Sequence, residues 1–243
     1  MSNRIRFFLA HLSVSAIIAV IAICIVYFVW YPAPLGKALG VLHLFLMLIV
    51  IDVIVGPLFS LLVYKEGKKT LKFDLAVVIL LQVCAFIYGF YHIAQGRPAW
   101  IVYGDRVFNL VKNSDIEQNG VERAKEAYKH VGYWGPEYVA LDSNMSKSAQ
   151  KELLAQTPMS NSAIRYPVNY TALEDAKLRM QYGALPMKML EHYNEKTDVE
   201  NVVEDYPSAN AWIGLAAPAK DMVVLINKEK GEVVKIVDLR PWK

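Results

Sequence analysis

The chain has 243 residues, 55% of them hydrophobic, and a mean hydropathy of +0.26, which points to apolar residues concentrated in one part of the molecule. A formal net charge of +3 is too modest to argue for a nucleic-acid partner, and part of it is used by membrane topology. The two cysteines, Cys24 and Cys84, both fall in apolar stretches, which leaves the C-terminal two thirds of the chain without a disulfide framework.

The first apolar stretch runs from about residue 7 to 30 and is long enough to cross a bilayer core of roughly 30 Å. Its length, and its ending in Trp30-Tyr31-Pro32 instead of a small-residue cleavage site, argue for a retained span over a cleaved leader. A second span is expected over about 39–64 and a third over about 73–94. Arg4 and Arg6 precede the first span, and Lys65, Lys68, Lys69 and Lys72 lie between the second and third, whereas the loop after the first offers only Lys37. This bias predicts a cytoplasmic N-terminus and places everything after about Gln95 outside, in the periplasm if the membrane is a bacterial inner membrane. Trp30, Tyr31, Tyr88, Phe90 and Tyr91 would then form the outer aromatic belt.

The second span, "LMLIVIDVIVGPLFSLLVY", carries an aspartate at its centre. A lone carboxylate at mid-bilayer costs on the order of 3 kcal/mol, so Asp52 should face protein or water and have a partner. On a helix Asp52, Gly56 and Ser60 form one stripe at i, i+4 and i+8 that permits close approach of another helix. Pro57 removes a backbone donor beside the carboxylate and predicts a kink. The third span offers a matching stripe in Gln82, Ala85 and Gly89, with Gln82 about one turn from the level of Asp52. Two readings follow: Asp52, protonated or hydrogen-bonded, pairs with Gln82 within the chain, or the stripe stays open for a partner's transmembrane helix. His43 lies much nearer the outer face, which argues against a relay with Asp52.

Residues 96–243 are enough for one globular domain. "AWIVYGDRVFNLV" predicts a β-hairpin turning at Gly104-Asp105, followed by an amphipathic helix over about 120–130 and a strand through Tyr138–Leu141. A short helix is expected over 146–156, and Thr171-Ala-Leu-Glu174 has the capping-box pattern of a helix running to Tyr182, stopped by Gly183 and Pro186. "DMVVLINKEKGEVVKIVDLRPW" predicts a closing hairpin around Lys228–Gly231. The expected fold is therefore a membrane protein with three N-terminal transmembrane α-helices, followed by an extracytoplasmic α+β domain over an antiparallel sheet. The long polar loop of residues 157–170, with Arg165 and Tyr166, is either a recognition segment or a plain surface loop.

Catalytic signals are absent from the pattern: His130 and His192 have no metal-ligand spacing, no serine sits in a nucleophile frame, and no glycine-rich phosphate loop occurs. No enzyme activity, metal or cofactor is expected.

"FFLAHLSVS", "VWYPAP", the long run from Gly40 through both later spans, and "QGRPAWIVYGDRVF" together resemble the TfpX/TfpZ family of type IV pilin accessory proteins. The run Asp52 to Pro57 followed by Lys68-Lys69-x-x-Lys72-Phe73-Asp74 is the most specific part, and residues 114–218 match least. That resemblance implies an inner-membrane helper, encoded near a major pilin, that binds the pilin and modulates its assembly into the pilus. Implied partners are the pilin's transmembrane helix and periplasmic head, the lipid bilayer and possible components of the pilus assembly platform. On this reading Asp52, Gly56, Ser60 and Gln82 meet the helix, while Arg165 and Tyr166 meet the head. The alternative is a membrane-anchored periplasmic ligand-sensing subunit with a separate signalling partner, needed because the cytoplasmic segments are too short for an output domain.

Overall fold

The structure, a computed structural model, describes residues 1–143 and 163–243. The helix expected over 146–156 and the first part of the 157–170 loop lie outside the described residues. Two compact units result: Met1–Pro32 with Val41–Gly96, and Ala33–Gly40 with Arg97–Lys243.

The first unit consists of three helices long and apolar enough to cross a membrane, Asn3–Trp30, Val41–Val63 and Leu71–Gln95. The first is α1 (Asn3–Cys24) continued by a π-helical segment, Ile25–Trp30. The second is α3 (Val41–Val50), a π-helical turn (Ile51–Val55) and α4 (Gly56–Val63); the third is α5 (Leu71–Gln95). The irregularity in the second helix has a cause in the sequence. Pro57 has no amide hydrogen, and its ring would press on the carbonyl of Val53 in a regular helix. Widening the preceding turn relieves this, and the Gly56 amide donates to the carbonyl of Ile51, five residues back. Small side chains let the helices approach: Ser15, Ala19 and Ala22 of α1 are buried, as are Gly56, Pro57 and Ser60 of α4. A Cβ on Gly89 would meet Leu48 at 2.7 Å. At one end Tyr31 donates its hydroxyl to the carbonyl of Ile93 at 2.7 Å and Trp30 stacks near Phe90 at 5.0 Å.

The second unit is an α+β domain. Its sheet contains β1 (Pro98–Gly104), β2 (Val107–Lys112), β3 (Glu137–Leu141), β4 (Tyr170–Ala172), β5 (Leu185–Pro186), β6 (Ala211–Ala216), β7 (Met222–Asn227) and β8 (Glu232–Val237), in the order β4-β3-β1-β2-β6-β7-β8 with β5 paired to β6. Both expected hairpins form, β1 with β2 and β7 with β8. The turn of the first uses Asp105 and Arg106, both at positive φ (50° and 65°), the hand that matches strand twist. The sheet is mixed where an antiparallel one was expected: β1–β3 and β2–β6 pair in parallel, because each joins strands separated by long connections instead of tight turns.

Both faces of this sheet are covered, which is why β1, β6 and β7 read as continuous apolar runs. One face packs Ile101, Tyr103, Phe108, Ile213, Leu215 and Val224 against Ala176 and Met180 of the helical segment 173–183. The other buries Trp212, Val223 and Leu225 with Leu190 and Val199, and Trp100 with Tyr170 and Tyr128.

Two expected elements take other forms. Over 120–130 there is no α-helix, only the 3-10 turns Val121–Arg123 and Glu126–Tyr128, separated by Ala124 and Lys125 in extended conformation. Tertiary contacts outweigh helix periodicity here: the break lets Tyr128 meet Trp100 and Tyr170 edge-on at 5.9 and 6.0 Å, and brings Lys125 within 3.3 Å of the Thr171 hydroxyl. The capping box does not form either. Thr171 lies in β4, paired with Ala140, and its hydroxyl donates to the Asp175 carboxylate instead of starting a helix. A 3-10 turn, Leu173–Ala176, intervenes before α6 (Lys177–Gly183).

The segment expected to be a plain loop after the first span belongs to this domain. It forms α2 (Leu35–Leu39), whose Leu35 and Ala38 enter the core of the first sheet face. The carbonyl of Ala38 accepts from the amides of Ala219 and Lys220, and Gly40, at φ 68°, ends the helix against Ala219. One further helix, α7 (Lys196–Asp205), contributes Val199 to the opposite face.

Candidate functional site

The membrane unit gathers its few polar side chains around the middle of the second helix. Asp52, the central residue of Val41–Val63, is 5% exposed, and Ser60 is fully buried. The stripe Asp52, Gly56, Ser60 therefore does face inward, held in line across the π turn.

What meets that stripe differs along its length. Ser60 bonds with His11 Nδ1 at 2.7 Å. Gly56 makes room for Gln82: a Cβ there would lie 1.9 Å from Gln82 Oε1 and 2.3 Å from its Cδ. Gln82 is thus brought to the level of Asp52, but it bonds to the backbone and not to the carboxylate. Its Nε2 donates to the carbonyl oxygen of Asp52 at 2.9 Å and to Ser15 Oγ at 3.2 Å. The amide orientation is fixed by the Asp52 carbonyl, which can only accept. Among the described residues neither Oδ1 nor Oδ2 of Asp52 has a hydrogen-bond partner. Gln82 Oε1 also lacks a bond of good geometry, although His11 is near enough to Gln82 to interact with it.

Asp52, Gly56 and Gln82 line a cavity of about 300 Å³ between the second and third helices, whose remaining walls include Ile51, Val55, Phe59, Leu81 and Ala85. Such a space can accept a group from outside the chain. Ser15 and His11 were missing from the sequence-based site. Their signal was positional, since Ser15 leads a run of small residues, Ser15, Ala19 and Ala22, on one face of α1.

Arg165 and Tyr166 belong to the other unit. Arg165 closes the 3-10 turn Ala163–Arg165 with its side chain exposed, and Tyr166 is half-buried. Their backbone is anchored: the carbonyl of Arg165 accepts from the Glu117 amide at 2.9 Å, and Asn169 Nδ2 donates to the carbonyl of Ala163 at 3.1 Å. Among the described residues no cluster of three His, Cys, Asp or Glu side chains is placed to hold a metal ion.

Three apolar helices with a buried polar cluster, followed by a mixed-sheet domain, define the class: a membrane protein that carries a folded α+β domain. The model of the fimbrial assembly protein FimB family matches residues 1–40. A fimbrial assembly protein of Dichelobacter nodosus serogroups C1 and C2 is 32% identical over 122 residues, which is 47% of this chain and 93% of that protein. The serogroup I protein of the same organism is 25% identical over 193 residues, covering 76% of this chain and 75% of its own length. No solved structure matches. The chain belongs to the family of fimbrial assembly proteins.

Proposed function

We propose that this chain is an inner-membrane accessory protein for a type IV pilin, of the kind the TfpX/TfpZ resemblance implies, and that it holds the pilin before or during assembly into the fibre. The observation that carries the reading is the cavity beside Asp52. A fimbrial assembly protein that leaves a carboxylate buried and unpaired, next to a space open between two membrane helices, has a place for a helix that is not its own. The C-terminal domain, periplasmic on this reading, meets the pilin head at the exposed turn around Arg165 and Tyr166. The action is binding, with no chemical step, cofactor or metal.

The test is photocrosslinking in cells that make the fimbrial subunit. Phe59, which lines the cavity, accepts a photoreactive phenylalanine analogue, whereas Gly56 has no room for one beside Gln82. A second probe replaces Arg165. Capture of the fimbrial subunit from Phe59 supports the proposal, and capture from both positions supports a two-part grip. If neither probe traps a fimbrial subunit, the reading is wrong.

A further inference from the structure

The chemistry of the cavity wall constrains what occupies it. Asp52 Oδ1 and Oδ2 and Gln82 Oε1 are all acceptors, and the donors of Gln82 are already committed to the Asp52 carbonyl and Ser15. The Asp52 carboxylate thus has no donor set against it among the described residues, whereas Gln82 Oε1 has His11 within reach.

Among the described residues no lysine or arginine reaches this point. The lysines and arginines of the membrane unit lie at the helix ends or between helices: Arg4 donates to the carbonyl of Leu61, Lys68 pairs with Asp74, Arg6 and Lys72 stand in the first turns of their helices, and Lys65 and Lys69 lie between the second and third. The nearest of them, Arg4 at the Leu61 carbonyl and Lys72, ten residues before Gln82 on α5, lie about 14 and 15 Å from the level of Asp52 along the helix axes. His11 is held at Ser60, eight residues further along the same helix. A metal ion fits poorly, because hard divalent cations take about six or more oxygen ligands and this wall offers three. An acyl chain would fill the apolar walls but has no donor for the carboxylate. At the middle of a bilayer the remaining kind of occupant is another helix.

We infer that the occupant is a transmembrane helix bearing a positively charged donor, an ammonium or a guanidinium, that pairs with Asp52 at mid-membrane. This rests on the proposed function and adds the chemistry of its partner. A cation on a single helix is costly in hydrocarbon until it is paired, and so is the Asp52 carboxylate; docking removes both penalties together. The same pairing sets depth and register, since only one level of the cavity accepts charge. Apolar walls from Ile51, Val55, Phe59 and Leu81 then pack against the rest of the docking helix.

The experiment uses the full chain in its own membrane, with the photoreactive analogue at Phe59, and compares Asp52 with Asp52→Asn and Asp52→Glu. Asparagine keeps the shape and removes the charge, so capture of the fimbrial subunit should fall about tenfold or more, while glutamate should retain most of it. Capture undiminished in Asp52→Asn overturns the inference and leaves the proposed function standing. No capture from Phe59 with Asp52 intact overturns this inference, and if the Arg165 probe captures none either, the proposed function itself is overturned. Sequencing the attachment site on the trapped partner gives an independent reading that needs no Asp52 variant: a lysine, an arginine or the chain's own amino terminus must lie within about one helical turn of it. A trapped helix without such a group overturns the inference.

Discussion

Asp238, in the C-terminal domain, sits among Lys37 at 3.1 Å, Lys220 at 3.4 Å and the Arg240 guanidinium, whereas Asp52 in the membrane unit has no partner for either carboxylate oxygen among the described residues. The contrast extends to neighbouring groups. In the domain, Tyr103 donates to the carbonyl of Arg179, Trp212 Nε1 to the carbonyl of Pro186, and Asn194 both donates to the carbonyl of Arg240 and accepts from its amide. Single atoms there lack partners, such as Trp100 Nε1, but among the described residues no buried carboxylate of the domain has both oxygens unpaired. Water can reach much of the domain's polar surface and cannot reach mid-bilayer, so the unpaired group is found where it costs most. A cost of that kind persists when binding relieves it, which is why Asp52 carries the proposed partner site in the membrane unit.

The largest expected effect comes from the domain core. Trp212 is 2% exposed and packs with Val223, Leu225 and Leu190, so Trp212→Ala should destabilise the domain by about 3–5 kcal/mol in denaturant titrations of the full chain in detergent. Leu35→Ala should cost about 2–5 kcal/mol in the same titration, although Leu35 lies in the segment linking two spans. A negligible effect would show that α2 does not belong to the domain core.

The sign should reverse at the membrane cluster. Asp52→Leu removes an unpaired carboxylate from a largely apolar wall, so the detergent-solubilised protein should gain about 1–3 kcal/mol while fimbriation is lost. A thermal melt scored together with a fimbriation count separates these two readouts. If Asp52→Leu destabilises the protein and leaves fimbriation intact, the carboxylate is structural and the comparison of the two units fails. Gly56→Ala should do the opposite to stability, since its Cβ displaces Gln82 and breaks the bonds to the Asp52 carbonyl and Ser15, at about 1–2 kcal/mol in total.

Much of this arrangement was legible in the sequence. Long apolar runs locate the three spans to within a few residues, and the spacing of Asp52, Gly56 and Ser60 shows that they share a buried face. Pro57 announces an irregular turn, though its π form depends on the Gly56 amide reaching Ile51. The partners of the stripe were less visible, because helix periodicity says which residues share a face and not which neighbouring helix meets it. Gln82 was placed at the right level but expected at the carboxylate, when the Asp52 carbonyl beside Pro57 was the stronger claim on its amide. In the domain, local patterns marked both hairpins and the strand at Tyr138–Leu141. They missed β6, which is apolar on both faces and so lacks alternation, and α2, whose five residues acquire their shape from the core they enter. The parallel pairings are nonlocal and leave no short-range signal.

The smallest expected effect concerns Asp238 and tests the paired side of the comparison. Burial opposes its ionisation, but the hydrogen bond from Lys37 and the charges of Arg240, Lys220 and Lys37 outweigh burial and hold its carboxyl below the usual carboxylate range. A group with a lowered folded pKa binds fewer protons in the native state than in the unfolded chain, so its contribution is complete above the ordinary aspartate value and is lost as pH falls through the folded one. Because Lys37 and Lys220 are half or more exposed, that contribution is about 1 kcal/mol or less. Asp238→Asn should therefore cost little at pH 7 and flatten the decline in domain stability below about pH 4, seen as parallel denaturant titrations at pH 7 and pH 3. High salt should mimic the substitution, since these charges meet near water, and it should leave the effect of Asp52→Leu unchanged, since no ions reach the middle of the membrane unit. Salt sensitivity at Asp238 with none at Asp52 is the outcome expected when one carboxylate already has its cations and the other must obtain one from a partner.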